Sequence, residues 1–432
     1  MSTARRVLTL VTSLAAAAAG LTAATAAPAA ADTPLVGWAT QGGGTTGGGS
    51  AATTTVSSAS ALTSALSSGS AAVIRVSGTI SCSGMLRVAS NKTVIGNSGA
   101  TISGCGFNVS QASNVIIRNL TFRNWGDDGI NVQYSTRVYI DHNTFSNGGA
   151  RLVGWATQGG GTTGGGSAAT TTVSSASALT SALSSGSAAV IRVSGTISCS
   201  GMLRVASNKT VIGNSGATIS GCGFNVSQAS NVIIRNLTFR NWGDDGINVQ
   251  YSTRVYIDHN TFSNGGDGAL DIKRSSDYIT VSWNRFFDHD KTMLLGHSDS
   301  NASEDRGRLR VTYHHNWFDG TNQRHPRVRF GNPVHVFNNY YGSVGSYGVA
   351  STMEGGVLVE GNYFENTDDP FHLGEGSSPA GTLVARNNHF VNSGSGQSGG
   401  SVRSIPYSYS LDSASSVKSI VTAGAGAGRI SL

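Results

Sequence analysis

The chain has 432 residues, of which 38% are hydrophobic, 12% charged and 58 Gly, and it carries a formal net charge of +6. That excess is local: Arg5 and Arg6 supply +2, residues 35–149 supply +3, and residues 152–432 hold 20 cationic against 19 acidic side chains. With no Lys/Arg run and no basic helix, composition argues against nucleic-acid binding, and an acidic polymer has to be met by placed charges instead of a global field.

Residues 1–31 read as a secretory signal. Arg5 and Arg6 form the basic region, an Ala/Leu/Val-rich run follows, and Ala29-Ala30-Ala31 offers a small-residue cleavage site before Asp32. The apolar core is too short and too diluted by Thr and Ser to be a membrane anchor. No later segment is apolar enough to span a bilayer, so the mature protein is expected to be secreted, extracellular and free of membrane.

From Leu35 the chain is duplicated. Leu35–Gly149 reappears letter for letter as Leu152–Gly266, with Ala150 and Arg151 between the copies. The second copy runs on into Asp267-Gly-Ala-Leu-Asp271 and the first does not. Residues 35–149 are therefore read as an incomplete front half, and residues 152–432 as the complete domain. Three fates are open to the first copy: stacking as a partial solenoid, poor order, or exchange with the second. Covalent continuity favours the second copy in the complete helix.

Four cysteines suit an oxidising compartment. Cys82 and Cys105 lie in the first copy, Cys199 and Cys222 in the second, each pair 23 residues apart. Two disulfides within the copies are expected, each contributing about 3 kcal/mol in the chain-entropy model for a loop of that size. Ahead of the first coil, Ser174–Ser184 places Ala176, Leu179 and Leu183 at helical spacing, which predicts a short amphipathic cap over exposed strand edges.

Apolar runs ending in Asn then recur at Asn236, Asn260, Asn284, Asn316, Asn339, Asn362 and Asn388, with spacings of 24, 24, 32, 23, 23 and 26. A nearly constant period means one solenoid coil per repeat. Short alternating strands without intervening helices make it a β-solenoid. The expected fold is all-β: a right-handed single-stranded parallel β-helix with a short N-terminal capping helix, protruding loops and an Asn ladder at one corner. The spacing of 32 marks an insertion within His297–Gly307, a polar loop leaving the stack. Cysteines 23 apart fall one coil above each other, within disulfide reach.

Asp267 and Asp271 share a strand face, and Asp245 occupies a comparable strand one coil earlier. Three carboxylates on neighbouring coils repel unless a cation sits among them, and oxygen ligands on an all-β surface suit Ca²⁺. The alternative is a set of solvated turn aspartates. Lys291, Arg324 and Arg329 follow, a cation row that suits a polyanionic, carboxylate-bearing substrate. Arg327 shares the face of Arg329 but equally fits a structural pairing role.

Val255-Tyr-Ile-Asp-His-Asn-Thr-Phe, Asp267-Gly-Ala-Leu-Asp-Ile-Lys, the Asp277-Tyr-Ile-Thr-Val-Ser-Trp run and Arg324-His-Pro-Arg-Val-Arg together resemble the extracellular pectate lyases of the parallel β-helix superfamily. The resemblance covers residues 152–432, while the duplicated front half departs from the family pattern. It implies Asp245, Asp267 and Asp271 as Ca²⁺ ligands, Arg324 as catalytic base, and Lys291 and Arg329 as partners of substrate carboxylates. Gly243 stands where some relatives carry an acidic residue, which leaves fewer protein ligands. Asp128, the first-copy twin of Asp245, has no Asp267 or Asp271 beside it.

The implied reaction is β-elimination on α-1,4-linked polygalacturonate, giving 4,5-unsaturated ends. Neutralising the substrate carboxylate makes its C5 proton removable. Arg324 is an unusual base, its free pKa lying above about 12, so an alkaline optimum follows. A monomer is expected. A polygalacturonase of the same architecture is the nearest rival, through Asp244-Asp245-Gly and Gly296-His297, but it needs two carboxyls around a water and no cation row. A pectin lyase needs neither Ca²⁺ nor the three aspartates. A non-catalytic polysaccharide-binding β-helix is the remaining class.

Overall fold

The computed structural model describes residues 35–146 and 152–430, apart from 124, 126 and 127. The signal segment expected over residues 1–31 lies outside the described residues. The chain divides into two compact units, Met1–Gly149 and Ala150–Leu432.

The second unit is a parallel β-helix. One wall is a ten-stranded sheet running from Thr170–Val173 through Ser230–Arg235, Thr253–Asp258, Asp277–Ser282, Val311–His314 and Val334–Phe337 to Thr382–Arg386, every neighbour parallel. The remaining walls form a 15-stranded sheet. They join through Thr218–Ser227, which pairs Thr238–Arg240 with its first half and Ile247–Gln250 with its second. Each coil thus adds a rung to every wall, and inward β-branched and aromatic side chains form one continuous core. Phe239, Phe262, Phe286 and Phe318 stack coil upon coil at 5.2, 4.9 and 5.5 Å, and Tyr341 and Phe364 continue the column.

The predicted Asn ladder is present, with one correction. Asn260, Asn284, Asn316, Asn339, Asn362 and Asn388 pass a hydrogen bond from each Nδ2 to the next Oδ1 over 2.9–3.1 Å. Asn236 is not a rung. The residue before each rung turns the corner in the left-handed region (His259, Trp283, His315, Asn338 at φ 51°, 53°, 55°, 49°), and Asn236, at φ 59°, belongs to that row. Leu237 takes the rung position, and its N–H donates to Asn260 Oδ1 at 3.1 Å. Asn tolerates the left-handed conformation better than most residues, so the same residue type serves both rows.

The cap forms as Ala176–Ser184, with the Ser175 side chain accepting from the Ala178 N–H and Leu179 and Leu183 buried. Lys209, fully buried beneath it, donates to the carbonyls of Ser185, Ser187 and Ser207 at 2.8, 2.7 and 3.0 Å and fastens the cap to the first coil. Cys82–Cys105 and Cys199–Cys222 are both bonded, with Cα separations of 5.2 Å. The insertion carries a short helix, Ala302–Asp305, whose buried Asp305 accepts the Ser275 N–H at 2.8 Å. A further helix, Val417–Gly424, packs Val417 and Val421 against an aromatic cluster around Tyr340. The Asn period does not reach it, and the sequence reading missed it.

The first unit repeats the same coils on its own core, through Thr136–Asp141 and Thr144–Ser146. Identical residues meet different surroundings. Trp155 is 4% exposed, its Nε1 donating to the Pro333 carbonyl, whereas its twin Trp38 is 91% exposed. Among the described residues, no helix is long and apolar enough to cross a membrane.

Candidate active site

Four consecutive coils bring Asp245, Asp267, Lys291 and Arg324 into one column. The turn at Gly246 lies under Gly268, the turn at Ala269 under Lys291 and Thr292, and those under Gln323 and Arg324, each step held by backbone hydrogen bonds of 2.7–3.1 Å. Lys291 pairs with Gln323 as a parallel bridge. Beside this column, Leu270–Lys273 stacks on Ile247–Gln250 with Asp271 opposite Asn248 and Lys273 opposite Gln250. Strand alternation sends Leu270 and Ile272 into the core and leaves Asp271 and Lys273 on the outer face.

The carboxylates gather closely. Asp244, Asp245 and Asp267 each place an oxygen within 4.8 Å of the others. Asp245 and Asp271 approach from either side of Gly268. A Cβ on that residue would lie 2.4 Å from Asp271 Oδ1 and 2.7 Å from Asp245 Oδ1, so glycine leaves open the space the two oxygens face. Asp271 Oδ1 also accepts the Leu294 N–H at 3.1 Å.

Lysines occupy the other oxygens. Lys273 Nζ lies 2.9 Å from Asp245 Oδ2 and 3.0 Å from Asp271 Oδ2, and Lys291 Nζ lies 3.1 Å from Asp267 Oδ1. Burial and the neighbouring Asp271 charge push the Asp245 carboxyl up to about 7, with Lys273 opposing. Burial disfavours the Lys273 ammonium, but Asp271 and Asp245 outweigh it and raise its pKa. Four carboxylates against two ammoniums leave a formal balance of −2. This hard, oxygen-only donor set with excess negative charge fits a divalent cation such as Ca²⁺.

Sequence reasoning missed Lys273 and Asp244. Strand spacing alone puts Lys273 on the face of Asp271, and that is the signal from which it could be found. By sequence, Asp244 reads only as a hydrolase carboxylate.

The cation row is assembled but partly occupied. Arg324 sits at φ 65°, its buried Nε without a hydrogen-bond partner. Next to it, buried His325 donates from Nδ1 to the Tyr347 carbonyl at 2.8 Å and accepts at Nε2 from the Thr321 and Thr292 hydroxyls at 2.8 and 3.1 Å. This anchors the strand entry that presents Arg324. His289 Nε2 donates to the Lys291 carbonyl at 2.9 Å and steadies the turn that carries Lys291. Arg329 is paired with Asp299 of the inserted loop at 2.6 Å, and Asp299 also accepts from Ser378 Oγ. Arg327 donates to Ser378 Oγ at 2.9 Å and the Glu375 carbonyl at 3.1 Å, a loop-holding role. In the first unit, Asp128 has neither an Asp271 nor a Lys273 twin, because that copy stops short of them.

Comparison with known proteins agrees with the coiled fold. The pectate lyase family model matches residues 9–151 and 148–430. A pectate trisaccharide-lyase of Bacillus licheniformis is 38% identical over 260 residues, covering 56% of this chain and 74% of that protein. Among solved structures, a pectate lyase from Bacillus sp. N165 in complex with trigalacturonate superposes with a TM-score of 0.60 at 32% identity, over 65% of this chain and 100% of the other. Pectate lyase II from Xanthomonas campestris gives a TM-score of 0.56 at 28% identity, over 64% and 98%. The stacked coils, the carboxylate cluster beside a cation row and these matches together establish that the chain belongs to the pectate lyase family, the polysaccharide lyases built on a parallel β-helix.

Proposed function

We propose that the second unit, residues 152–432, cleaves α-1,4-linked polygalacturonate by Ca²⁺-dependent β-elimination outside the cell. The observation that carries this reading is the column in which Asp245, Asp267, Lys291 and Arg324 follow one another on successive coils, with Asp271 beside it.

Asp245, Asp267 and Asp271 would hold the cation, with Asp244 in reach of the same space. When bound, Ca²⁺ supplies positive charge that neutralises a galacturonate carboxylate and lowers the acidity barrier at C5. Lys291, one coil from Arg324, engages the same carboxylate, and Arg329 a neighbouring one once Asp299 yields. Arg324 then takes the C5 proton. The C5–H electron pair becomes the C4=C5 double bond, the C4–O bond breaks, and the departing oxygen is protonated from solvent. No water adds across the cleaved bond. Arginine in the role of base implies optimal activity on the alkaline side.

Growth of ultraviolet absorbance on polygalacturonate, with added Ca²⁺ and then with excess chelator, tests the proposal. A rise that the chelator abolishes supports it. Reducing ends without absorbance would assign the protein to hydrolysis.

A further inference from the structure

The outer face of the ten-stranded wall carries a polar relay that the proposed reaction does not use. In Val311–His314, Val311 and Tyr313 enter the core, and alternation leaves Thr312 and His314 on the outer face. Ser282 and Phe337 flank His314 in register on the neighbouring coils, and its ring stacks on Phe337 at 5.0 Å. Asp271, Lys273 and Arg329 belong to strands of the other sheet, so the relay stands apart from the carboxylate cluster.

Asp412 Oδ2 lies 2.9 Å from His315 Nε2, and His315 Nδ1 lies 2.9 Å from His314 Nδ1. A carboxylate accepts, so His315 donates from Nε2. With both rings neutral, its Nδ1 lone pair receives the His314 Nδ1–H. His314 Nε2 is then left as an acceptor, buried and without a hydrogen-bond partner among the described residues. His314 is 4% exposed, and burial holds its imidazole well below the ordinary pKa and therefore neutral. Such an acceptor is costly until a donor reaches it. His335, one coil on, shows the satisfied case, with Glu360 at Nε2 and Tyr407 at Nδ1 over 2.8 and 2.9 Å.

His314, His315 and Phe337 line a cavity of about 250 Å³ together with Val153, Ser408, Tyr409 and Ser410. The segment carrying the last three is bonded to the wall through Tyr407, Tyr409 and Asp412. One water occupies about 30 Å³ in the liquid, so the cavity holds far more than one. Pockets for drug-sized ligands begin at about 300 Å³, so it suits a single small ring. Among the described residues no Asp, Glu, Lys or Arg lines it, and a charged ligand would lose water there without compensation. The walls offer aromatic faces from Phe337 and Tyr409 and hydroxyls from Ser408 and Ser410. That combination meets the C–H faces and the hydroxyls of a sugar.

We propose that this cavity is a second saccharide site, which takes one neutral sugar ring and receives a hydroxyl of that ring at His314 Nε2. It selects against galacturonate, the charged unit proposed for the catalytic column. Neutral sugars of a mixed polysaccharide thus hold the protein while the column acts on acidic stretches.

Titration of galactose, arabinose, rhamnose and xylose, each alone, into the full chain carrying isotope-labelled histidine tests the proposal by nuclear magnetic resonance. The His314 signal is assigned by its loss in His314→Phe. At least one neutral sugar is expected to displace that signal saturably, and galacturonate at the same concentration to leave it in place. Ser410 is exposed at the cavity edge, so Ser410→Trp fills the space and should remove the response with circular dichroism unchanged. Chelator should not alter the response, which keeps the result separate from the lyase reading. Silence towards all four sugars, an equal response to galacturonate, or a response that survives Ser410→Trp overturns the proposal.

Discussion

Lys273 places its ammonium 2.9 Å from Oδ2 of Asp245, a residue of the preceding coil, and so ties two rungs of the helix at the carboxylate cluster. The same ammonium reaches Asp271 at 3.0 Å. In Lys273→Met these two buried carboxylates lose their shared partner, which costs about 3 kcal/mol of stability. Denaturant midpoints in chelator are expected to fall accordingly, and added Ca²⁺ to restore most of the loss. A variant indifferent to Ca²⁺ would remove the cluster from consideration as a cation site.

Cation binding here is expected to release a proton. The Asp245 carboxyl is pushed up to about 7 by burial and by Asp271, so below that pH it carries a proton that a bound cation must displace. Ca²⁺ affinity measured by calorimetry should weaken as pH falls from 8 to 6, with buffer-dependent enthalpies reporting the proton. Pairing with equal affinity at both pH values would contradict this account.

Asp299 occupies Arg329, the residue proposed to meet a substrate carboxylate. In Asp299→Asn the guanidinium is released from its 2.6 Å ion pair, so KM for polygalacturonate should fall severalfold with kcat little changed. A rise in KM would instead mean that Asp299 orients Arg329 for binding.

Acid should destabilise the second unit through two buried groups. Burial pushes the His325 imidazole down to about 3. Below pH 6.5 the unfolded chain takes a proton that the folded residue refuses, and stability falls by about 1.4 kcal/mol per pH unit until about pH 3. Burial opposes the Glu360 charge, but His335, Arg386 and Tyr409 outweigh it and hold the carboxyl at about 2. Its contribution is complete above pH 4.5 and is lost as pH falls through 2. Melting temperatures should therefore drop steadily from pH 6.5 downward. A flat profile to pH 4 would count against the neutral His325.

The ladder gives a further check on the fold. Asn316 Nδ2 donates to the Val281 carbonyl at 2.9 Å, and its Oδ1 accepts from Asn284. Asn316→Ala leaves those buried groups unpaired and should cost about 2–3 kcal/mol in chemical denaturation. An unchanged midpoint would mean that the ladder adds nothing to stability.

The period of the Asn-terminated runs determined the coiled architecture, because one residue type repeating at one corner requires the chain to return there each time. The same logic paired the cysteines and placed Asp245, Asp267, Asp271, Lys291, Arg324 and Arg329 on neighbouring coils. Register escaped it by one residue at Asn236, since Asn suits both the left-handed corner and the ladder rung. The C-terminal helix escaped as well, because it lies outside the repeat.

Other features were decided by tertiary structure alone. That Lys273 bridges two aspartates and that Asp299 holds Arg329 depend on which side chains adjacent coils bring into reach, and linear spacing does not encode this. The duplication makes the point most directly. Trp38 and Trp155, and Phe145 and Phe262, have identical local sequence, yet one of each pair is exposed and the other buried. The strands form in both copies because their own residues favour them and stack on the coil before. Burial is decided by the coil that follows, and only the second copy has one.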